Sequence, residues 1–248
     1  MPEPGSAPAL AAQAVVKRHG TVVALDDVSL DVPRGECVAL IGESGAGKST
    51  LLRCFNRLVE PDAGRVLVEG VEARTLDPVA LRRRMGYVPQ EGGLLPHWRV
   101  ERNVALVPWL RGEVDATERA REALGLVGLD AERFGRRWPR ELSGGERQRA
   151  AVARALAGSR GVVLLDEPFG ALDAITRAEL QAAFAAWRRE LGFTSVLVTH
   201  DLREALELAD RVAVLRRGRI EQTAAPEELV RAPATAYVAE LITRARVA

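Results

Sequence analysis

Hydrophobic and polar positions follow two different periods along this chain. Up to about residue 90, and again from residue 162, apolar residues come in short runs separated by turn signals. Between those stretches they recur at helical spacing. Ala14-Val15-Val16 and Val22-Val23-Ala24-Leu25 flank a His19-Gly20 turn. Val28-Ser29-Leu30-Asp31-Val32 then alternates like a half-exposed strand until Pro33-Arg34-Gly35 stops it. Residues 36–41 (ECVALI) are a buried strand, and residues 50–55 open a helix. Pro61-Asp62-Ala63-Gly64 turns into an alternating strand over residues 65–69. Asp77-Pro78 pairs an N-cap with a proline at the first helical position, and Met85-Gly86-Tyr87-Val88-Pro89 is a short strand that delivers Gln90.

From about residue 91 to residue 158 strand signals vanish. Helices are predicted over residues 102–110, 116–126 and 144–157, as an insert between two halves of an α/β core. Val162-Val163-Leu164-Leu165 is a buried strand ending at Asp166-Glu167-Pro168. A long helix over residues 174–191 follows, capped by Asp173 and ended by Gly192. Ser195-Val196-Leu197-Val198-Thr199 is the next buried strand and ends at His200-Asp201. A hairpin around Arg217-Gly218 and short helices over residues 226–230 and 235–243 close the chain. The expected organisation is a disordered tail over residues 1–10 and one domain over 11–241. Its core spans 11–90 and 159–222, its insert 91–158 and its C-terminal helices 223–243, with a tail over 244–248.

Composition narrows the class. Lys+Arg 35 against Asp+Glu 34 leaves a net charge of +1 over 248 residues, so no global field draws nucleic acid. Aromatic content is only 4 %, too low for a base-stacking platform. Cys37 and Cys54 read as small buried hydrophobes, which suits a reducing compartment. No apolar run approaches the roughly 18 residues needed to cross a bilayer. The Met1–Pro8 run, broken by prolines, reads as a loose tail and not a signal peptide. Any membrane role is expected to come through a partner.

The chemistry begins with Gly42-Glu43-Ser44-Gly45-Ala46-Gly47-Lys48-Ser49-Thr50, which fits G-x-x-x-x-G-K-[ST] between a strand and a helix. Backbone N–H groups nested at a helix N-terminus attract phosphate. Lys48 is placed to neutralise the β- and γ-phosphates and the Ser49 hydroxyl to bind Mg²⁺. Asp166, after a run of aliphatics, is placed to hold the metal through water, and Glu167 to orient or deprotonate an attacking water. Gly42, Gln90, Asp166-Glu167 and His200 each follow a predicted strand. Ligands in open α/β sheets bind outside the carboxyl ends of strands, so these groups are expected to converge on one pocket. Leu142-Ser143-Gly144-Gly145-Glu146 has capping-box spacing between Ser143 and Glu146. Two glycines in a first turn weaken a helix by up to ~1 kcal/mol each, which points to a phosphate approaching the exposed N–H groups.

The phosphate loop, Tyr87-Val88-Pro89-Gln90, LSGGERQR, VVLLDEP, Ala171-Leu172-Asp173 and Thr199-His200-Asp201 occur in an order that resembles ATP-binding cassette (ABC) ATPases. The resemblance covers nearly the whole chain, about residues 15–241. It implies an α/β fold: a P-loop NTPase core of mixed sheet with flanking helices, an antiparallel β subdomain and an inserted helical subdomain. ATP and Mg²⁺ are the implied cofactors, with Gln90 beside Ser49 and Asp166 at the metal and Gln90, Glu167 and His200 in hydrolysis. The implied assembly is a head-to-tail dimer on ATP, in which Ser143, Gly144 and Gly145 cover the γ-phosphate held by the other copy's Lys48 and Asp173 links the two sites.

DEPFGALDAITRAEL and the segments around Asn56 and Leu95 are similar to the ATPases of osmoprotectant importers of glycine betaine, choline, carnitine or proline. Parts also resemble methionine, phosphonate and sulfonate importers. The implied partners are membrane permease subunits and, indirectly, an extracytoplasmic solute-binding protein, with the ATPase on the cytoplasmic face of the membrane and no nucleic acid bound. In the family the surface after Gln90, here Leu94, Leu95, Pro96 and Trp98, receives a permease helix. A soluble ABC ATPase with no transport role is the other reading. A guanine-specific switch is disfavoured, because no Asn-Lys-x-Asp element is present.

Two departures from the family pattern stand out. His19 occupies the position of the aromatic that stacks on adenine, and imidazole stacks over less area and titrates near neutrality. Many osmoprotectant ATPases carry a C-terminal pair of regulatory domains, whereas this sequence stops soon after Leu241, and ionic-strength sensing of their kind is not among the expectations.

Overall fold

An antiparallel hairpin opens the chain. Strand β1 (Leu10–His19) pairs with β2 (Val22–Val32) in a register running from Leu10↔Val32 to His19↔Val22. Both strands run through the polar interruptions that divided the apolar runs, because register shifts near Ala12, Val15 and Lys17 let the pairing resume. The computed structural model describes residues 7–159, 161–170 and 172–247. Most of the Met1–Pro8 run, together with Ala171 and Ala248, lies outside these residues. Ala9 and Leu10, expected in a disordered tail, are instead fully buried. Ala9 donates to Val32 O and accepts from Glu69 N–H, both at 2.9 Å.

Strand β3 (Cys37–Ile41) is buried at every position and leads into helix α1 (Lys48–Phe55). Strands β4 (Ala63–Val68) and β5 (Val71–Glu72) complete a four-stranded sheet in the order β2-β1-β4-β5. Helix α2 (Pro78–Arg84) starts where the Asp77-Pro78 pair predicts, with Asp77 Oδ1 accepting from Ala80 N–H at 2.7 Å.

Residues Arg82–Gly192 form a compact unit of their own, and Met1–Leu81 with Phe193–Ala248 form the other. Within the Arg82–Gly192 unit, β6 (Met85–Val88) later finds a parallel partner. The helix predicted over residues 102–110 is divided into α3 (Val100–Val104) and α4 (Leu106–Leu110). Pro108 has no N–H to return to the Val104 carbonyl, so one helix cannot run through. Helix α5 (Ala116–Leu126) has its predicted bounds. The single turn α6 (Ala131–Phe134), capped by Asp130, is too short for a periodic signal. Helix α7 (Gly144–Gly158) precedes β7 (Val162–Asp166), which pairs with β6 from Met85↔Val162 to Val88↔Leu165. Helix α8 (Ala174–Leu191) begins on an Asp173 Oδ1 that accepts from Thr176 N–H at 3.0 Å, and it ends at Gly192 with φ 62°.

The chain returns to the first unit on β8 (Thr194–Val198), which lies parallel to β3. The sequence reading missed α9 (Leu202–Leu208), whose N-terminus Asp201 caps by accepting from Arg203 and Glu204 N–H groups. β9 (Arg211–Arg216) lies parallel to β3 on its other edge and turns through Arg217 (φ 49°) and Gly218 (φ 78°) into β10 (Arg219–Ala224). Positive φ at both turn residues suits the twist of the hairpin. The order β10-β9-β3-β8 makes this a mixed sheet, centred on the strand that feeds the phosphate loop. Helices α10 (Pro226–Arg231) and α11 (Ala236–Val247) follow. Residues 244–247, expected in a C-terminal tail, continue α11 as its last turn.

Candidate functional site

In the first unit, β3 and β8 run in register with Leu40 beside Val198, so Gly42 and His200 leave the same end of the sheet. Between β3 and α1 the loop folds back tightly. Gly47 sits at φ 103°, and a Cβ there would lie 2.3 Å from Ala24 O, so no other residue fits. No side chain caps α1 at Gly47, the arrangement of a helix tip that takes an anion on its backbone N–H groups. Lys48 is 6 % exposed, and its Nζ donates to Gly42 O at 2.7 Å and Glu43 O at 3.0 Å. The ammonium thus closes the loop on itself. Ser44, Gly45, Ala46, Ser49 and Thr50 complete the cradle, and Ala46 O accepts from Gly218 N–H at 3.1 Å.

His200 is exposed, but its setting is firmly built. Thr199 Oγ1 donates to the buried Glu204 carboxylate at 2.8 Å and accepts from Asp201 N–H at 3.0 Å. His19 is exposed at the end of the β1–β2 hairpin. The strand leading to it is pinned by Asp62, which accepts from Lys17 Nζ at 2.8 Å and Arg18 N–H at 2.7 Å. The Lys17 hydrogen bond, then that of Arg18, holds the Asp62 carboxyl below the usual carboxylate range. A ring on this hairpin that stacks on a base gains affinity with its area. His19→Tyr is therefore expected to tighten nucleotide binding severalfold. Fluorescent-nucleotide titrations check this, and identical affinities for the two proteins would end the idea.

In the second unit, β6 and β7 place Gln90 and Glu167 two residues beyond a register pair, Val88 and Leu165. Gln90 Nε2 donates to Glu167 Oε2 at 3.2 Å. Asp166 is completely buried at the end of β7. Glu167 follows it at φ 49°, a left-handed conformation that costs a glutamate about 1 kcal/mol or more. That bend turns the chain sharply after the buried aspartate.

Helix α7 begins on a complete capping box: Glu146 N–H donates to Ser143 Oγ at 3.2 Å, and Ser143 N–H donates to Glu146 Oε2 at 2.8 Å. The two glycines at its tip differ. A Cβ on Gly144 would meet nothing within 4 Å, whereas one on Gly145 would lie 2.6 Å from Thr176 Cγ2 on α8. Gly145 is thus required by helix packing, and only Gly144 leaves the tip open. Ser143, Gly144, Arg149, Asp173 and Thr176 line a polar hollow of about 450 Å³. Hydrogen bonds from Thr176 hold the Asp173 carboxyl below its ordinary range.

The ABC transporter family model matches residues 25–170, from the second strand through the Asp166-Glu167-Pro168 turn. This chain belongs to the ABC transporter family. It is similar to the osmoprotectant import ATP-binding protein OsmV of Salmonella typhimurium, 44 % identical over 96 % of this chain and 63 % of that protein. The glycine betaine/carnitine/choline transport ATP-binding protein OpuCA of Bacillus subtilis is 47 % identical over 90 % of this chain and 59 % of its own. The chain thus spans about six-tenths of the length of these curated relatives. Among solved structures, the dimeric bacterial ABC transporter cassette MJ0796 superposes with a TM-score of 0.79 at 34 % identity, covering 88 % of this chain and 98 % of that one.

Several supports of this ABC cassette carried no sequence signal. Tyr237 on α11, 5 % exposed, accepts from Glu43 N–H in the phosphate loop at 3.3 Å. The Arg216 guanidinium stacks over its ring at 4.5 Å. Glu204 and the α9 cap were legible in principle, because Asp201 and Glu204 have N-cap spacing. Past Gln90, Trp98 packs edge-on to Trp109 with ring centroids 6.5 Å apart, and Arg102 lies 4.1 Å over the Trp98 ring. Trp109 remains 59 % exposed, and the two tryptophans border a groove of about 280 Å³ with Ala105, Leu106 and Ala116.

Proposed function

We propose that this ABC cassette is the ATP-hydrolysing subunit of an importer for a small solute, most directly a quaternary-amine osmoprotectant such as glycine betaine. The Gln90–Glu167 hydrogen bond at 3.2 Å carries the hydrolytic part of the reading, since it sets an amide beside a carboxylate at the end of the Asp166 strand. The transport roles of OsmV and OpuCA, which match nine-tenths or more of the chain, support the solute class.

In this reading the phosphate loop and Lys48 bind the triphosphate, His200 donates to the γ-phosphate and Glu167 orients the attacking water and draws off its proton. The donor set suits magnesium, which prefers oxygen ligands and keeps several waters. Ser49, Asp166 and Gln90 supply oxygens, and the described residues contain no cluster of three or more His, Cys, Asp or Glu side chains of the kind that cages a metal by protein alone. When bound, Mg²⁺ screens the charge on the phosphates. Two copies pair head to tail, with Ser143, Gly144 and Gly145 of one covering the nucleotide of the other and Asp173 between the sites. That the MJ0796 cassette is dimeric supports the pairing of two copies.

No helix among the described residues is long and apolar enough to cross a membrane. In this reading the chain acts at the cytoplasmic face through permease subunits, and indirectly with an extracytoplasmic solute-binding protein. The near-zero net charge weighs against a nucleic-acid partner. The Trp98–Trp109 groove is the place for a permease helix. Trp98→Ala, which removes the ring beneath Arg102, is expected to weaken co-purification with the permease and to lower uptake about tenfold or more. Co-purification to identify the permease and binding protein made with it, followed by labelled glycine betaine and methionine uptake, tests the function. Methionine uptake without betaine uptake would move the solute class, and absence of any permease would favour a non-transport ATPase.

A further inference from the structure

Arg154 lies outside the motifs, in the third turn of α7, and its guanidinium reaches the segment that follows Gln90. Nη1 donates to Gly93 O at 2.6 Å and Nη2 to Gly92 O at 2.9 Å. Desolvation of this half-buried side chain pulls its pKa below the usual arginine value, a cost offset by two charge-assisted hydrogen bonds. Both acceptors belong to glycines with positive φ, 73° and 63°, so the loop is bent in a way that turns consecutive carbonyls toward one guanidinium fork. Gly93 also fits under Pro89, where a Cβ would lie 2.7 Å from Pro89 Cγ.

The same helical turn braces the loop from its other side. A Cβ on Gly86 in β6 would lie 2.5 Å from Ala155 O, so the strand that delivers Gln90 rests directly on the α7 backbone. Residues 154 and 155 thus grip the Gln90 segment before and after the glutamine. Along α7 toward its tip, Gln148 is 7 % exposed and its Nε2 has no hydrogen-bond partner among the described residues. Its Oε1 would lie 3.4 Å from a Cβ on Gly92. The helix therefore holds a second amide ready beside the loop.

We propose that Arg154 is a positioning residue that fastens the Gln90 loop to α7, so that the amide on Glu167 and the Ser143 tip shift as one body. This rests on the ATPase reading above. Its consequence is that a movement sensed by Gln90 reaches the helix tip through a rigid link and not through a flexible loop. Arg154→Lys keeps the charge but loses the planar fork that grips two carbonyls at once. It is expected to lower kcat for ATP about tenfold with a change in KM below about twofold, because misplacement of a positioned group acts on the chemical step. In a Gln90→Ala background the same substitution is expected to have no further effect, since the position it secures is already lost.

Full additivity of the two substitutions, or a change confined to KM, would overturn the proposal, as would wild-type rates in Arg154→Lys. Hydrogen exchange on the wild-type chain tests it without any variant. On adding a non-hydrolysable ATP analogue, the peptides covering residues 89–95 and 143–150 are expected to gain protection together. A change in one alone, or in neither, refutes the link. A wild-type chain that gains protection in both but never turns over ATP would count against the ATPase reading and leave the link standing.

Discussion

Replacing Glu167 with glutamine is expected to cut ATP turnover by about 10²–10⁴-fold while leaving nucleotide binding intact. Glutamine has nearly the same shape, so the left-handed backbone at φ 49° and the bend after Asp166 are preserved. Its side-chain carbonyl still accepts the hydrogen bond from Gln90 Nε2, made at 3.2 Å in the wild-type chain. What disappears is the carboxylate proposed to take a proton from water. With the nucleotide bound but not consumed, the head-to-tail pair is expected to accumulate. Single-turnover assays and size-exclusion chromatography with Mg-ATP read the two effects separately. Retained turnover would place the base elsewhere, and a chain that stays monomeric with ATP bound would remove the composite site.

Lys48→Ala is expected to weaken ATP binding on the order of 10²-fold or more. Two charge-assisted hydrogen bonds to phosphate at about 1.5–3 kcal/mol each amount to at least about 3 kcal/mol, and each 1.4 kcal/mol is tenfold. The ammonium binds the Gly42 and Glu43 carbonyls from a nearly inaccessible position. Its loss therefore also loosens the loop and is expected to lower thermal stability modestly. Arginine is not expected to rescue binding, because a planar fork does not replace a compact ammonium in a cradle this tight. Fluorescent-nucleotide titration alongside a melting curve checks both; near-wild-type affinity in Lys48→Ala would refute the cradle as the principal phosphate site.

Much of the fold was legible because its signals are local. The Asp77, Ser143 and Asp173 caps lie within three residues of the N–H groups they serve. The uniformly apolar strands β3, β7 and β8 announce themselves by composition. Errors arose where local rules compete. Pro108 splits one predicted helix into α3 and α4, and the residues given to the tails gain order from distant partners, as Ala9 does from Val32 and Glu69. The α9 helix was overlooked because His200-Asp201 was read as the end of a strand, although Asp201 also starts the next helix.

The sequence by itself determined the chemistry on offer: a glycine-rich loop with Lys48 between a strand and a helix, carboxylates at the end of an aliphatic run and a capped helix with a glycine tip. Each of these is a contiguous pattern whose physical meaning depends on neighbours a few residues away. Only the tertiary structure decided that Gly145 answers to Thr176, that Glu167 adopts a left-handed backbone beside Gln90, and that Arg154 holds carbonyls 61 and 62 residues away. Those facts depend on which surfaces meet when the chain closes on itself. No periodicity or spacing along one strand or helix encodes where a side chain from a distant turn will arrive.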